Sequence, residues 1–361
     1  MASASTWRIG RRVCERIPVV SAEQRAEIAA GPSTPERHAA LLEALPFTDA
    51  VELQQPRAES VLGEAARVVA WNAERCKQLE PSARLLAASG GDVLLLSELD
   101  HGMARSGQHH AARELAWLLG FGYVFAVEFL ELQLGSPAER DVLPEDASNQ
   151  VGYHGNAILS RAPLLRPAVV RLTPDGAWFD GARGERRVGS RIAVVAQVEL
   201  AGTPVTVAAV HLESHEDPEQ RAAQAAALFE ALDAYDARAP VVIGGDLNTF
   251  SIALAQAADR DAIEAALRDD PDRWRRPERH EPLFAQAAAR GYVWRPANVM
   301  GEPTHRHALG SGSTRGELKL DWLLVRGLAA RDPAVLEAAH PATGALLSDH
   351  EPVAVTVSLN G

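Results

Sequence analysis

The chain has 361 residues, 47% of them hydrophobic and 23% charged. That is enough for one or two domains with a large core, and it excludes disorder over the whole length. The net charge of −12, from 36 basic and 48 acidic residues, excludes a uniformly basic surface gripping a phosphate backbone. A local basic cleft, or acids that hold a cation, remain open.

From the N-terminus, Met1 to Val20 carries charges throughout and has no apolar h-region, so no signal peptide is expected. No run approaches the ~18 apolar residues of a membrane span, so no transmembrane segment is expected. The two cysteines, Cys14 and Cys76, exclude a disulfide framework and a CxxC knuckle, and a reduced, cytoplasmic setting is expected. Residues 1–60 are expected to form a helical N-terminal extension, with helices at Ala22–Ala30 and Pro35–Leu45 broken by Gly31-Pro32, packed on a catalytic domain over 61–361.

Beyond Ala65, short β-branched and leucine-rich runs alternate with alanine-rich amphipathic segments. The expected strands are Arg67–Trp71, Asp92–Ser97, Val124–Phe129, Asn156–Ser160, Arg191–Leu200, Pro204–Val210, Val241–Gly244, Leu320–Val325 and Val353–Ser358. The expected helices are Cys76–Ala88, His109–Leu119, Pro218–Tyr235, Ala253–Arg268 and Pro282–Ala289. Arg191–Leu200 and Pro204–Val210 adjoin at Ala201-Gly202-Thr203, so hairpins and mixed sheets are favoured over a strict βαβ wind. Gly135–Val151, Thr173–Ser190 and Gly301–Gly316 are long enough to be functional loops.

The informative feature is where the strands end. Val68–Trp71 runs into Asn72 and Glu74, Val93–Ser97 into Glu98 and Asp100, Val205–Val210 into His211 and Glu213, and Val241–Gly245 into Asp246 and Asn248. Asp321 lies between Leu320 and Trp322, and Asp349-His350 precedes the last strand. Residues i and i+2 of an extended chain share a side, so Asn72/Glu74 and Asp246/Asn248 can each aim two polar groups into one pocket. Such a set suits phosphoester hydrolysis. Glu74, Glu98 and Asp349 are hard oxygen donors of the kind that hold Mg²⁺ or Mn²⁺. Asp246 is placed to orient or deprotonate water, with Asn248 fixing water or phosphate. His350, its tautomer set by Asp321, and His211 are candidate donors to phosphate.

Seven segments carry a resemblance: Trp71-Asn72-Ala73-Glu74, Leu96-Ser97-Glu98, Gly155-Asn156-Ala157-Ile158-Leu159-Ser160-Arg161, His211-Leu212-Glu213-Ser214, Gly245-Asp246-Leu247-Asn248, Leu320-Asp321-Trp322 and Ser348-Asp349-His350. In this order they resemble the motifs of the endonuclease/exonuclease/phosphatase superfamily, the DNase I-like metal-dependent phosphoesterases. The resemblance covers about Ala65 to Leu359. It implies an α/β (α+β) fold, a four-layer sandwich of two packed mixed β-sheets flanked by helices, with the site at one end. It also implies that Glu98 is the main metal ligand, joined by Glu74 and Asp349. Asn72 and Asn248 would position phosphate and water, Asp246 would be the base, and His350 with Asp321 would stabilise the transition state. His211 matches a histidine placed on the phosphate. Ser97 stands where the family usually has glutamine, and Glu74 where some nucleases have aspartate.

His154 and Asn156, on either side of Gly155, and Arg187 and Arg191 of the cluster Arg183, Arg186, Arg187 and Arg191 are the candidate substrate contacts. His211 and His215 are four apart, but His211 ends a strand and no metalloprotease glutamate accompanies them, so a zinc pair is not favoured. Thr304, His305 and Arg306 divide between substrate contact and plain loop. The expected function is a divalent-metal-dependent phosphoesterase that attacks a phosphodiester or phosphomonoester with water. The alternative is a nuclease or DNA-repair phosphodiesterase, and a remote one is an inactive binding scaffold. The expected partner is a phosphoester (small molecule, lipid head group or nucleic acid), with no protein partner.

Overall fold

The computed structural model describes residues 7–58, 60–172, 175–252, 260–306, 317–340 and 342–359. Among these, two sheets pack face to face. The six-stranded sheet runs β1 (Trp7–Gly10), β8 (Leu165–Leu172), β10 (Ile192–Leu200), β11 (Thr203–His211), β12 (Val241–Asp246) and β13 (Asp321–Arg326). The nine-stranded sheet runs β14 (Leu328–Val335), β15 (Val353–Leu359), β4 (Ala65–Arg75), β5 (Val93–His101), β7 (Tyr153–Ser160), β6 (Gly122–Glu131), β3 (Ala50–Gln54) and β2 (Arg12–Cys14). The short β9 (Arg187–Gly189) pairs with β6. The helices are α1 (Ala22–Ala30), α2 (Pro35–Ala44), α3 (Leu79–Ala88), α4 (Ala111–Leu119), α5 (Pro137–Arg140), α6 (Pro218–Asp236), α7 (Arg260–Asp269) and α8 (Pro282–Ala289).

The period-two alternation of the strands builds three apolar layers between four structural ones. Along β4, Val68 and Ala70 pack between the sheets, while Val69 and Trp71 pack outward with Ala83 and Leu86 of α3 and Leu115 of α4. Along β10, Val194 and Ala196 join the inter-sheet core, while Ala193 and Val195 pack with Leu228 of α6 and Phe284 of α8. This is the expected four-layer sandwich. Both sheets mix orientations: β4–β5 and β11–β12 are parallel, each bridged by a helix, and their other core neighbours are antiparallel. Because β13 and β15 run opposite to those pairs, their N-terminal ends meet the C-terminal ends of β4, β5, β11 and β12. The strand ends that carry the polar residues thus gather at one end of the sandwich.

The first 60 residues correct the expectation of a helical appendage. α1 and α2 do form, α1 behind a Ser21 capping box and α2 behind the Thr34 cap with Pro35 in its first turn. However, β1 pairs with β8, and β3 pairs with β6 and β2, so both sheets take strands from either side of residue 60. These strands of three to five residues are too short to show a period. β8 and β14 also escape a sequence reading, each because a proline interrupts it. Pro167 lies where the β8–β10 register shifts and Pro333 where β14 bulges, the places a sheet tolerates a missing N–H. For the helix expected at Ala253–Arg268, positions 253–259 lie outside the described residues, and α7 carries the rest. α3 begins at Leu79, three residues later than expected, because Cys76 has a left-handed φ of 51°.

Glu52 shows how tightly the N-terminal strands are tied in. Its buried carboxylate accepts hydrogen bonds from Tyr123 Oη (2.7 Å), His110 Nε2 (2.9 Å) and the Ile17 N–H (2.9 Å). Burial pushes this carboxyl up, but the His110, Tyr123 and Ile17 bonds outweigh it and hold it at about 2. The folded value lies below the unfolded one, so ionised Glu52 stabilises the fold fully above the ordinary carboxylate range, and that contribution is lost as pH falls toward 2. We expect Glu52→Ala to cost about 3 kcal/mol or more, because three buried donors lose their acceptor at roughly 1–3 kcal/mol each. Urea unfolding at several pH values checks this: wild-type stability should fall more steeply than that of the variant between about pH 5 and pH 2. Equal slopes would contradict it.

Candidate active site

The cleft at the strand-end face has a volume of about 890 Å³. Its floor is set by register. His211, Asp246 and Asp321 lie directly across from one another on β11, β12 and β13. In the other sheet the β4–β5, β5–β7 and β6–β7 ladders shift register after Asn72, Leu96 and Val127, at the same end. Bulges of this kind re-aim side chains beside active sites. Here they coincide with left-handed backbone at Glu74 (φ 43°), Arg75 (φ 72°) and Glu98 (φ 55°), and Asn248, after β12 of the six-stranded sheet, is also left-handed (φ 49°), conformations that cost energy and persist only where packing enforces them. Gly245, before Asp246, has no alternative: a Cβ there would stand 1.9 Å from the Val210 carbonyl oxygen.

Asp246 is the hub. Its Oδ2 accepts from Asn72 Nδ2 at 3.1 Å and lies 3.7 Å from both His211 Nε2 and His350 Nε2. Its Oδ1 accepts from the Asn248 N–H at 2.8 Å, which fixes the turn after β12. Asn72 also donates to Glu98 Oε1 at 3.1 Å, so one amide ties the two sheets' acids together. Asn248 donates its amide to the Leu212 carbonyl at 2.9 Å. His350 Nδ1 is 2.8 Å from Asp321 Oδ2. Burial pushes this imidazole down, but Asp321 and then Asp246 outweigh it and lift it to about 10, which favours the charged form of His350.

The three expected metal ligands, Glu98, Glu74 and Asp349, all line the cleft, but they do not close into one tight set. Glu98 is engaged by the guanidinium of Arg75, and Glu74 Oε1 lies 3.5 Å from Lys77 Nζ while its Oε2 accepts the Asp349 N–H at 3.2 Å. Among the described residues, the close His and carboxylate sets are Asp246–Asp321–His350 and His305–Asp349–His350. Asp349 lies 3.4 Å from His305 Nε2; burial pushes its carboxyl up, but that contact and His350 take it below the usual carboxylate range.

The expected substrate contacts need correction. Arg187 and Arg191 reach the cleft wall but are buried and engaged by acids. Arg187 pairs with Glu131 (2.8 Å) and Glu185, and Arg191 with Glu128 (2.9 Å) and Glu213 (3.1 Å). They form an ion-pair frame behind the cleft rather than free anion contacts, because a buried guanidinium needs a partner. Asn156 is wholly buried, donates to the Ile192 carbonyl at 3.3 Å, and is not on the cleft wall. His154 is on the wall, but its Nδ1 is 2.8 Å from Asp100, and burial pushes it down to about 4, so it is neutral.

Sequence reasoning missed two residues that shape the site. Glu128 Oε2 lies 3.5 Å from His211 Nδ1, and Arg191 Nη1 lies 3.0 Å from the same nitrogen, so a carboxylate and a guanidinium both stand behind His211. Burial pushes Glu128 up, yet His211 and Arg191 hold it at about 2. Its signal was present: it is a charge inside the apolar run Tyr123–Leu130, all of it buried. Arg75, between Glu74 and Cys76, gave no comparable sign.

The family model of the Endonuclease/Exonuclease/phosphatase family matches residues 69–350. Among solved structures, the chain is similar to the endonuclease/exonuclease/phosphatase from Beutenbergia cavernae DSM 12333, at 19% identity over 82% of this chain and 72% of that one, with a TM-score of 0.51. It is similar to the human Nocturnin catalytic domain, at 18% identity over 82% and 94%, with a TM-score of 0.53. A functionally unknown conserved protein from Enterococcus faecalis V583 matches at 15% identity over 81% and 100%, with a TM-score of 0.50. These likenesses are of fold. No curated protein matches. With the family match spanning most of the chain and the strand-end residues gathered as the motifs imply, the chain belongs to the Endonuclease/Exonuclease/phosphatase family.

Proposed function

We propose that the chain is a divalent-metal-dependent phosphoesterase that hydrolyses a phosphodiester or phosphomonoester of modest size with an activated water. The observation that carries this reading is the convergence on Asp246: Asn72, His211 and His350 from both sheets meet one carboxylate, with Asp321 behind His350.

The donors fit a hard cation. Mg²⁺ and Mn²⁺ take few carboxylates and complete their shell with water and phosphate, so an open arrangement of Glu98, Glu74 and Asp349 suits them. Glu98 Oε2 is also buried, and the Arg75 guanidinium that engages it keeps a carboxylate in place at the cleft. Glu98 is the main ligand in this reading, with Glu74 and Asp349 as further ligands. The bound cation supplies countercharge for the phosphoryl oxygens. Asp246 accepts the proton of the attacking water, while Asn72 and Asn248 hold water and phosphate in place. His350 donates from Nε2 to a phosphoryl oxygen, with Asp321 keeping its Nδ1 engaged. His211, with Arg191 and Glu128 behind it, is the second donor on the phosphate.

Charge favours a compact substrate over long duplex nucleic acid. Among the described residues the cleft is lined by six carboxylates and five arginine or lysine side chains, too balanced for a phosphate-tracking channel. No helix among the described residues is long and apolar enough to cross a membrane. Cys14 and Cys76 are unpaired, in keeping with a cytoplasmic setting.

The test is a panel of phosphomonoesters, small phosphodiesters, lipid head-group diesters and DNA, assayed with Mg²⁺ for product release. Turnover should be highest on a compact phosphoester. A protein that hydrolyses no member of the panel would overturn the proposal, and preference for DNA would move it to the nuclease reading.

A further inference from the structure

His305 lies outside the machinery described above, and its placement is precise. The segment after Pro303 runs antiparallel to the one before β15, and His305 and His350 are bridge partners directly opposite one another. Backbone bonds close the pairing on both sides: the Arg306 N–H donates to the Asp349 carbonyl at 2.9 Å, and the Glu351 N–H to the Thr304 carbonyl at 2.7 Å. Side chains of directly opposed residues project to one face. The two imidazoles accordingly meet edge to face at 4.9 Å, and Asp349 completes the group. One donor atom from each of His305, Asp349 and His350 falls within 4.8 Å of the others.

From this geometry we propose that His305, Asp349 and His350 form a binding site for a borderline transition cation, Zn²⁺ above all, and that its occupation silences the enzyme. Donors at Zn–ligand lengths of roughly 2.0–2.1 Å in a tetrahedron stand about 3.3 Å apart, and His305 Nε2 and Asp349 Oδ2 are already 3.4 Å apart. Two imidazoles and one carboxylate suit Zn²⁺, Co²⁺ or Ni²⁺ and disfavour Mg²⁺, which takes oxygen. Asp321 on His350 Nδ1 provides the outer carboxylate that orients a metal-binding histidine and leaves Nε2 as its coordinating atom. Three protein ligands leave a fourth position for water. Binding there displaces the Nε2 proton and draws Asp349 away from Glu98 and Glu74. The inhibitory consequence rests on the proposed roles of His350 and Asp349; the binding site itself does not.

The test uses the full chain and two metals. Co²⁺ titration of the protein without substrate should give the visible absorption of a low-coordinate nitrogen–oxygen site. His305→Ala should weaken Co²⁺ and Zn²⁺ binding at least about tenfold, the lower end of what losing even an outer-shell partner costs. X-ray absorption of the Zn²⁺-loaded wild type should count two imidazoles, which keeps the proposal testable if the variant does not fold. In the Mg²⁺-supported assay, Zn²⁺ should inhibit, and His305→Ala should raise the inhibiting concentration by a similar factor, each protein scored against its own uninhibited rate. Fewer than two imidazoles on Zn²⁺, or unchanged Zn²⁺ affinity in folded His305→Ala, would overturn the site. A protein that binds Co²⁺ through His305 yet hydrolyses no phosphoester would sink the proposed function and leave the site standing. An active Mg²⁺ enzyme whose Zn²⁺ binding ignores His305 would do the reverse.

Discussion

His350→Ala should lower kcat/KM by about 10²- to 10³-fold, the usual scale for a lost donor on a developing oxyanion, or roughly 3–4 kcal/mol of transition-state stabilisation. The reasoning is local. His350 is buried between Asp321 at 2.8 Å and Asp246 at 3.7 Å, two acids that favour its charged form, with its Nε2 turned toward the carboxylate proposed to handle water. Removing it takes positive charge from a place where phosphoryl oxygens gain negative charge. Asp321→Asn keeps the shape but removes the anion that holds the proton on His350, so its loss should be smaller. Because Asp321 acts through His350, the double variant should be little worse than His350→Ala alone. Steady-state kinetics on the best substrate of the panel, with circular dichroism to confirm folding, would show this. A His350→Ala protein within threefold of wild type, or strictly additive losses, would contradict the assignment.

Asp246→Asn should be comparably damaging, about 10²- to 10⁴-fold in kcat, with KM moving far less. The asparagine still offers Oδ1 to the Asn248 N–H, which Asp246 engages at 2.8 Å. It would then present an amide N–H₂ to the Asn72 amide, where the carboxylate accepts at 3.1 Å. The base is lost, and the link through Asn72 between the two sheets' acids is broken. A kcat/KM split separates this from loss of substrate affinity, since a binding residue would raise KM with kcat retained.

Much of this site was legible because strand periodicity is a strong local signal. A carboxylate or amide that ends an apolar run, with a partner two residues on, has few physical uses other than a shared pocket. Asn72, Glu98, His211 and Asp246 were singled out that way, and His350 by its place just before the last strand; register sets His211 beside Asp246 and Asn72 beside Ser97. What stayed hidden depended on partners far away in sequence. Arg187 and Arg191 read as a free basic loop until Glu131, Glu128 and Glu213 are seen to engage them. Asn156 sits in a plausible motif, yet its amide turns to the Ile192 carbonyl. In the fold, β8 and β14 hid behind Pro167 and Pro333, and β1 to β3 are strands only because edges of the two sheets were there to receive them.

The most direct measurement is hydrolysis of the best substrate before and after chelation. EDTA should abolish turnover, and Mg²⁺ or Mn²⁺ added back should restore it, while Glu98→Gln should need far more metal for the same rate. Turnover that persists in EDTA with all protein-bound metal removed would contradict a cation held by Glu98 and, with it, the proposed mechanism.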